Sequence, residues 1–363
     1  MFGEHENIKQ QKSQGVPGTF ILLYNNLMKN LLQLALSAFF LFAITLAGDG
    51  FIQKWAELPT AILDFRDQFT TESKIRDYQP VEIVAFGDLM LGRYVWVLMQ
   101  QNGHDYPFEF FPELIATMNP DPDFLMANLE GPISDSAYVN PGTAMVFNFR
   151  PEIIETLQKY NFNLLNLANN HAYDMGQYGV DQTRTRLAEA GIHYFGDART
   201  IRTETTWLTE VDDVTLAFVG LNDTVQDYLD YEATTKLIAD LESQADFTIV
   251  SIHWGEEYRT KPTEEQVQQA HAFVDAGADV VLGHHPHVIE SSEWYAGPDS
   301  VGRPIYYSLG NFVFDQYFQQ NVQEGMGVTL TLQKDLQGGP PIITASETVF
   351  DIIDSQIKVR SNP

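Results

Sequence analysis

Short apolar runs, each followed by a polar loop and a helix-forming segment, recur along most of the chain, and this alternation constrains the fold strongly. The runs are Val81–Phe86, Phe124–Leu129, Leu164–Ala168, Val214–Gly220, Phe247–Ile252 and Val280–Leu282. The segments with helical spacing are Pro151–Tyr160, Gln177–Ala190, Tyr231–Gln244 and Thr263–Ala276. Short apolar runs that alternate with amphipathic helices predict an α/β fold with a largely parallel core sheet.

The last third of the chain has a different pattern. Pro304–Ser308, Gly327–Gln333 and Ile342–Val349 have the composition of strands, without helices between them. This pattern predicts a second sheet or an antiparallel edge. We therefore place the folded domain at residues 80–353 and a short C-terminal tail at residues 354–363.

The segment before the domain contains an apolar stretch at residues 31–48, in which Leu31–Ala47 is interrupted only by Gln33, Ser37 and Thr45. About 17–20 apolar residues suffice to span a bilayer as a helix. The long polar tail at residues 1–30 favours an uncleaved transmembrane anchor over a cleaved signal peptide or a buried core helix. Residues 49–79 then form a stalk or linker. The positive charges on the two sides of the stretch do not decide its orientation.

The composition excludes several classes of function. The net charge is -28, and no cluster of Lys and Arg interrupts the acidic surface, so nucleic acid is not an expected partner. The chain has no cysteine, which excludes disulfides, thiolate nucleophiles and cysteine zinc sites. Hydrophobic residues make up 44% of the chain, enough for a globular core.

Metal-ligating side chains follow the predicted strands, at the edge where open α/β sheets bind ligands. The groups at these strand ends are Asp88, Asn128 with Glu130, Asn169 to His171 with Asp174, His253, and finally His284, His285 and His287. Taken singly, each has an ordinary explanation, such as a helix cap, a solvated loop or a hydrogen-bonded core histidine. Together they favour a metal site, because buried acids without a cation are costly.

The expected ligands are carboxylate and amide oxygens with imidazole nitrogens, and this set suits one or two divalent ions of Mn, Fe, Zn or Mg. A centre of this kind can activate water for attack on phosphorus and stabilise the developing charge. His171, held by Asp174, is then expected to be a general acid or a charge stabiliser rather than a ligand.

The chain resembles the CapA family of poly-γ-glutamate capsule synthesis proteins, within the calcineurin-like metallophosphatase superfamily. The resemblance covers residues 81–315 and six motifs in order: GDLMLGR, NLEGPIS, LANNHAYDMGQYG, SIHWGEEY, GHHPHV and YSLGNFVFD. It implies a four-layer αββα sandwich of two mixed β-sheets with the metals at the sheet edge. It also implies a single-pass protein of the cell membrane, with its domain on the extracytoplasmic side.

By position, the resemblance assigns the metal-ligand roles to Asp88, Glu130, Asn170, His253, His285 and His287. It assigns His171 as catalytic and leaves His284 as a neighbour. The superfamily motif has a histidine where this chain has Met90, so one cation is expected to have fewer protein ligands. Arg93 and Asn311 also match the family motifs. Arg93 could bind an anionic substrate group or be a salt-bridged structural residue, and Asn311 could bind substrate or brace the site.

Two functions follow as expectations. The first is a metal-dependent hydrolase of a phosphoester or of a bond in an anionic surface polymer, working in capsule or poly-γ-glutamate synthesis and export. The second is a non-catalytic scaffold subunit of such a complex, with polymer synthase subunits as partners. The position of Met90 favours the scaffold, and the set of ligands favours the hydrolase. A periplasmic nucleotide phosphatase is a third possibility.

Overall fold

The structure is a computed structural model, and it describes residues 79–136, 145–224, 229–335 and 339–360. Its strands are β1 (Val81–Leu89), β2 (Phe124–Leu129), β3 (Leu164–Asn166), β4 (His193–Phe195), β5 (Trp207–Val211), β6 (Val214–Asn222), β7 (Phe247–His253), β8 (Val280–His284), β9 (Ser292–Ala296), β10 (Gly302–Tyr306), β11 (Asn311–Val313), β12 (Glu324–Gln333), β13 (Ile342–Ile353) and β14 (Gln356–Val359). Its α-helices are α1 (Arg93–Asn102), α2 (Phe111–Met118), α3 (Ile153–Lys159), α4 (Gly176–Glu189), α5 (Tyr231–Glu242) and α6 (Glu264–Asp275).

The strands form two mixed sheets. The first has the order β14-β13-β12-β1-β2-β3-β4, and β11 pairs with the end of β1. In it β1 to β4 are parallel, and β12 to β14 add an antiparallel edge. The second sheet has the order β5-β6-β7-β8-β10-β9, with four parallel strands in the centre and an antiparallel strand at each edge. The expectation of two mixed sheets is therefore confirmed.

The side chains of β1 point alternately to the two faces of the first sheet, and this alternation shows how the layers pack. Ile83 and Ala85 point into an apolar layer between the two sheets, which they share with residues of the second sheet such as Phe218. Val84 and Phe86 point the other way, against the helices that cover the first sheet. Because β1 is buried on both faces, its sequence is apolar almost throughout, which is typical of a central parallel strand.

Helices cover the outer face of each sheet. Val95 of α1, Leu114 of α2, Leu157 of α3 and Leu187 of α4 pack on the first sheet. On the second sheet, Ile238 of α5 and Phe273 of α6 pack against residues of β6, β7 and β8. The result is the four-layer αββα arrangement that the resemblance implies.

The four predicted helices are present, whereas α1 and α2 are additional. The sequence of α1 contains β-branched and aromatic residues, which favour strands by propensity. The burial of Val95 and Met99 on one face of α1 stabilises it as a helix instead. The short edge strands β4, β5 and β9 also have no clear sequence signal.

The C-terminal boundary of the domain differs from the prediction at residue 353. Strand β14 lies within the expected tail and pairs in antiparallel fashion with β13. Asp354 and Ser355 join the two strands with φ values of 53° and 61°. Two consecutive positive φ values are typical of the tight hairpin turn whose twist matches that of the strands. The chain therefore continues the sheet at a point where the apolar pattern is too short to reveal a strand.

The expected N-terminal tail, transmembrane anchor and stalk at residues 1–30, 31–48 and 49–79 lie outside the described residues, apart from Gln79 at the end of the stalk. Within the ranges that the structure does describe, no helix is long and apolar enough to cross a membrane.

Candidate metal centre

The carboxyl ends of the central strands of both sheets meet at one edge of the sandwich. In the first sheet Asp88 pairs with Asn128 of β2 and with Asn311 of β11. In the second sheet His253 of β7 pairs with His284 of β8. The backbone N–H of His285 donates a hydrogen bond of 3.2 Å to Oδ2 of Asp88, which joins the two sheets at this point. The structure thus brings together the strand ends that the sequence analysis singled out.

Gly87 allows β1 to approach the segment before β11 closely enough to position Asp88. A Cβ atom at residue 87 would lie 1.9 Å from the carbonyl oxygen of Gly310. The backbone N–H of Asp88 donates a hydrogen bond of 3.0 Å to this same oxygen. Any side chain at position 87 would therefore displace the backbone that carries Asp88.

Asp88 is fully buried and surrounded by donors. Its Oδ1 accepts a hydrogen bond of 2.8 Å from the side-chain amide of Asn128, and its Oδ2 lies 3.2 Å from Nδ1 of His287. Burial opposes ionisation, but the hydrogen bond to His287 and the nearby imidazoles outweigh it and hold the pKa of Asp88 below its ordinary value. Asp88 is therefore a carboxylate anion.

The surroundings of Glu130 differ from those of Asp88. Its side chain is fully buried, and neither carboxylate oxygen has a hydrogen-bond partner among the described residues. The nearest basic atoms are Nε2 of His287 at 3.7 Å and Nε2 of His171 at 3.9 Å. Burial raises the pKa of Glu130 well above its ordinary value. A buried carboxylate between imidazoles but bonded to none of them fits a position that ligates a cation.

His253 and Asn170 lie beside this carboxylate pair. Nε2 of His253 is 3.0 Å from Oδ1 of Asn170, and Nδ1 is 3.2 Å from the amide nitrogen of Asn128. His253 is completely buried, and burial lowers its pKa well below the ordinary value. The ring is therefore neutral, which is the form of imidazole that binds a metal ion.

The three histidines after β8 have different surroundings. His284 contacts Ser251 Oγ at 3.0 Å, and burial lowers its pKa to about 4. Burial also lowers the pKa of His285 to about 4, and Nδ1 of His285 has no partner within the described part of the chain. Burial alone would lower the pKa of His287, but Glu130 and Asp88 outweigh it and raise the value to about 9. The backbone carries both His285 and His287 at positive φ, 98° and 56°.

His171 forms a pair with Asp174, as predicted for a held imidazole. Nδ1 of His171 lies 2.7 Å from Oδ2 of Asp174, which also accepts a hydrogen bond of 2.7 Å from the backbone N–H of Phe147. The ring of Phe147 stacks on the imidazole with 3.8 Å between centroids. These contacts fix the ring so that Nε2 is directed toward Glu130, while the side chain keeps 12% exposure.

Met90 does not face the centre. It is fully buried in the apolar layer under the helices, and its sulfur accepts a hydrogen bond of 3.2 Å from the backbone N–H of Gly92. The side chain thus provides no ligand where the superfamily motif has a histidine. A reduced ligand set on that side therefore remains a prediction.

Arg93 and Asn311 are both held by protein groups. Arg93 forms an ion pair of 3.0 Å with Asp315, and its side chain remains 32% exposed. Oδ1 of Asn311 lies 3.0 Å from Nδ1 of His287, and its amide nitrogen donates to the backbone oxygen of Val322. Asn311 is fully buried. These contacts favour a bracing role for Asn311 and leave Arg93 at the solvent side.

Among the described residues, two groups of side chains have ligand atoms close enough to hold a cation. Asp88, Glu130 and His287 form the buried group, and Glu257, His285 and His287 form the outer group. Within each group the ligand atoms lie within 4.8 Å of one another. The carboxylates and imidazoles fit a divalent cation, and the unpartnered oxygens of Glu130 support this fit.

Glu257 and the role of Asn128 were not predicted from the sequence. The amide nitrogen of Asn128 contacts both Asp88 and His253, and its Oδ1 lies 3.3 Å from the amide nitrogens of Asn166 and Asn169. This buried amide network orients two of the expected ligands. Several asparagines at adjacent strand ends were the available signal.

The fold is a mixed α/β sandwich of two sheets. Buried acids and imidazoles at the strand ends form a candidate metal centre at one edge of the sandwich. The profile of the family described as bacterial capsule synthesis protein PGA_cap matches residues 82–316. The chain belongs to this family, as the resemblance to CapA proteins predicted.

Among curated relatives, the chain is 33% identical over 260 residues to the PGA biosynthesis protein CapA of Bacillus subtilis and 30% identical over 272 residues to the capsule biosynthesis protein CapA of Bacillus anthracis. These matches cover 67% and 69% of this chain, and 66% and 64% of the relatives. The chain thus spans slightly less than two thirds of their length. A solved phosphatase structure from Mycoplasma pneumoniae aligns with a TM-score of 0.47 and 14% identity, over 76% of this chain and 95% of that one.

Proposed function

We propose that the protein is a metal-dependent hydrolase acting in the synthesis or export of an anionic capsule polymer of the poly-γ-glutamate type. The observation that carries this proposal is the fully buried Glu130. Its two oxygens have no hydrogen-bond partner among the described residues, while imidazoles of His171 and His287 face it. A buried carboxylate is costly unless a positive charge or a proton neutralises it, and a bound cation would complete this site. The names of the two CapA relatives support the assignment to capsule synthesis.

The site would hold one or two divalent cations of Mn, Fe, Zn or Mg. The residues that would bind them are Asp88, Glu130, Asn170, His253, His285 and His287. When bound, such cations polarise a phosphoryl or carbonyl oxygen and lower the pKa of water. Side chains of the protein would supply the proton transfer and the contact with the substrate. His171, with its ring fixed by Asp174, is positioned to give a proton from Nε2 to a leaving oxygen. Arg93 lies at the solvent side, where its guanidinium can contact an anionic group of the substrate.

We also propose that residues 31–48 anchor the protein in the cell membrane with the domain on the extracytoplasmic side. In this position the domain would meet a polymer, or a polymer synthase subunit, at the membrane surface. Protease treatment of intact cells, with a tag at each end of the chain, tests this topology. Cleavage of the C-terminal tag alone is expected, and protection of the C-terminal tag would contradict the proposal.

The hydrolase is tested with the full-length chain, Mn²⁺ and chromogenic phosphomonoesters and phosphodiesters. We expect turnover that requires the metal and is lost in Glu130→Gln, whereas Glu113→Gln, a change at an exposed glutamate of α2, keeps wild-type turnover. Metal content measured on the same preparations shows why a variant is inactive. The variant either no longer binds the metal or binds it without catalysing the reaction.

The second candidate is a non-catalytic scaffold in the same pathway, and the burial of Met90 away from the site favours it. Cells that carry His171→Ala distinguish the two functions, because this change leaves the proposed ligands in place. Loss of polymer with full metal content supports the hydrolase. Normal polymer with full metal content supports the scaffold and contradicts the hydrolase.

A further inference from the structure

The outer ligand group contains a residue that the family pattern of ligands does not include. A carboxylate oxygen of Glu257 and one nitrogen each of His285 and His287 lie within 4.8 Å of one another. Glu257 follows His253 in the chain and lies at the exposed rim of the centre, while the two histidines are buried. One carboxylate and two imidazoles are a common ligand set for divalent cations.

The backbone holds the loop of Glu257 against the histidine loop. The N–H of Trp254 donates a hydrogen bond of 3.1 Å to the carbonyl oxygen of His284, and the N–H of Tyr258 donates one of 2.8 Å to that of Pro286. These two bonds lie on either side of Glu257 in the sequence. Glu257 therefore keeps its place beside His285 and His287 through backbone contacts, although its own side chain is exposed.

An independent observation concerns His285. The residue is 8% exposed, and its Nδ1 has no hydrogen-bond partner among the described residues. Its backbone N–H is already used by Asp88. A buried ring nitrogen without a partner is costly, and a cation at the outer group would satisfy it.

We propose that Glu257 is a ligand of a divalent cation, which it binds together with His285 at the outer side of the centre. This inference rests on the metal centre of the proposed function and adds a ligand to it. Met90 provides no ligand on the buried side of the metal centre, and Glu257 adds a negative charge on its solvent side. The negative charge of Glu257 would attract a divalent cation from solution to this side of the centre.

The neighbouring Glu256 offers a matched control. It is also exposed and has the same side chain, but its Oε1 forms an ion pair of 3.2 Å with Arg259 on the surface. It is not part of either candidate ligand group among the described residues. A change at Glu256 alters the local charge equally and leaves the proposed ligand set intact.

The test uses the full-length chain stripped of metal with a chelator and titrated with Mn²⁺ in a calorimeter, with bound metal counted after dialysis. The variants are Glu257→Gln, Glu256→Gln and Glu130→Gln. We expect Glu257→Gln to weaken the binding of one cation at least about 10-fold, as loss of a ligand or its support typically does. The affinity of Glu256→Gln for Mn²⁺ should stay within about twofold of the wild-type value, since ion pairs at an exposed surface contribute little to stability.

The inference is overturned if Glu257→Gln binds Mn²⁺ like the wild type while Glu130→Gln loses it, and the metal centre of the proposed function then stands. If Glu130→Gln also binds normally, the centre itself is misplaced, and both proposals fail. Thermal unfolding of the metal-free variants provides the folding control, because Glu257 is exposed and its replacement should leave the metal-free transition unchanged. A Glu257→His variant, which keeps a ligand, should recover part of the affinity.

Discussion

Nδ1 of His171 lies 2.7 Å from Oδ2 of Asp174, and the same carboxylate oxygen accepts the backbone N–H of Phe147. Asp174 therefore fixes the imidazole to the loop that carries Phe147 and directs the other ring nitrogen toward Glu130. His171 faces the proposed ligand Glu130 directly, whereas among the described residues Asp174 contacts the proposed ligands only through His171. The pair can be altered without removing a metal ligand.

Replacing Asp174 with asparagine should lower kcat of the metal-loaded protein on a phosphoester by about 100-fold, which is within the usual range for an acid–base group. The physical reason is that the imidazole loses the charge that orients it and stabilises its protonated form. Metal content should remain at the wild-type value. Asp181→Asn on α4, where the carboxylate contacts Gln177, is the control and should have no effect. Equal activity of Asp174→Asn and wild type would contradict a role of the Asp174 carboxylate in the reaction.

Glu130→Gln should have opposite effects with and without metal. In the metal-free protein the change removes a buried carboxyl group that has no hydrogen-bond partner among the described residues. It should therefore raise the free energy of unfolding by on the order of 1 kcal/mol. With Mn²⁺ at 100 times its dissociation constant, the wild type should gain about 2.7 kcal/mol, and the variant should gain much less. Chemical denaturation with and without chelator measures both effects. A variant less stable than wild type under both conditions would argue against a cation at this residue.

Glu290 should make stability depend on pH. Its side chain is 3% exposed, Gln266 donates to one oxygen, and burial raises its pKa from 4.5 to about 7. Because the folded state holds the proton more tightly, the wild type should gain stability as pH falls from 7 to 4.5 and lose it as pH rises through 7. Glu290→Gln should remove this dependence and be more stable at pH 8 by on the order of 1–2 kcal/mol.

The pH test consists of thermal unfolding of metal-free protein at pH 5 and pH 8. The difference between variant and wild type should be largest at pH 8 and shrink at pH 5. Glu189→Gln, at an exposed glutamate near the end of α4, should shift neither transition. A constant difference between Glu290→Gln and wild type at both pH values would contradict the argument.

Two glycines should differ in their tolerance of alanine. At Gly87 an added Cβ would lie 1.9 Å from a backbone oxygen, so Gly87→Ala should cost about 3 kcal/mol or more. At Gly191 no atom lies within 4 Å of the added Cβ, and the penalty arises only from its φ of 72°. Gly191→Ala should therefore cost about 1–2 kcal/mol. Urea denaturation measures both values, and similar costs would contradict the close approach of β1 and the Gly310 segment.

The convergence of the proposed ligand side chains was predictable because of a simple property of parallel sheets. Strands that run in the same direction place their carboxyl ends at one edge, so Asp88, Glu130, His253 and His285 converge whatever the details of their loops. Their sequence signal was strong for the same reason, since each follows a short apolar run. The helices α3 to α6 were predictable from helical spacing, whereas α1 was hidden by its strand-like composition.

Other features depend on contacts that the local sequence does not encode. Arg93 could bind substrate or pair with an acid, and only the fold brings Asp315 within 3.0 Å of it. Asn128 was one polar residue at a strand end, and only the packing shows that its amide contacts both Asp88 and His253.

The sequence by itself determined the family, the two-sheet fold and the edge where the acids and imidazoles collect, because strand direction and apolar patterning are local properties. The tertiary structure decided that Met90 faces the apolar layer and that Glu257 faces the histidines. Both outcomes depend on how neighbouring loops pack and which backbone groups they bond. Packing of this kind joins residues far apart in the chain, and no local pattern specifies it.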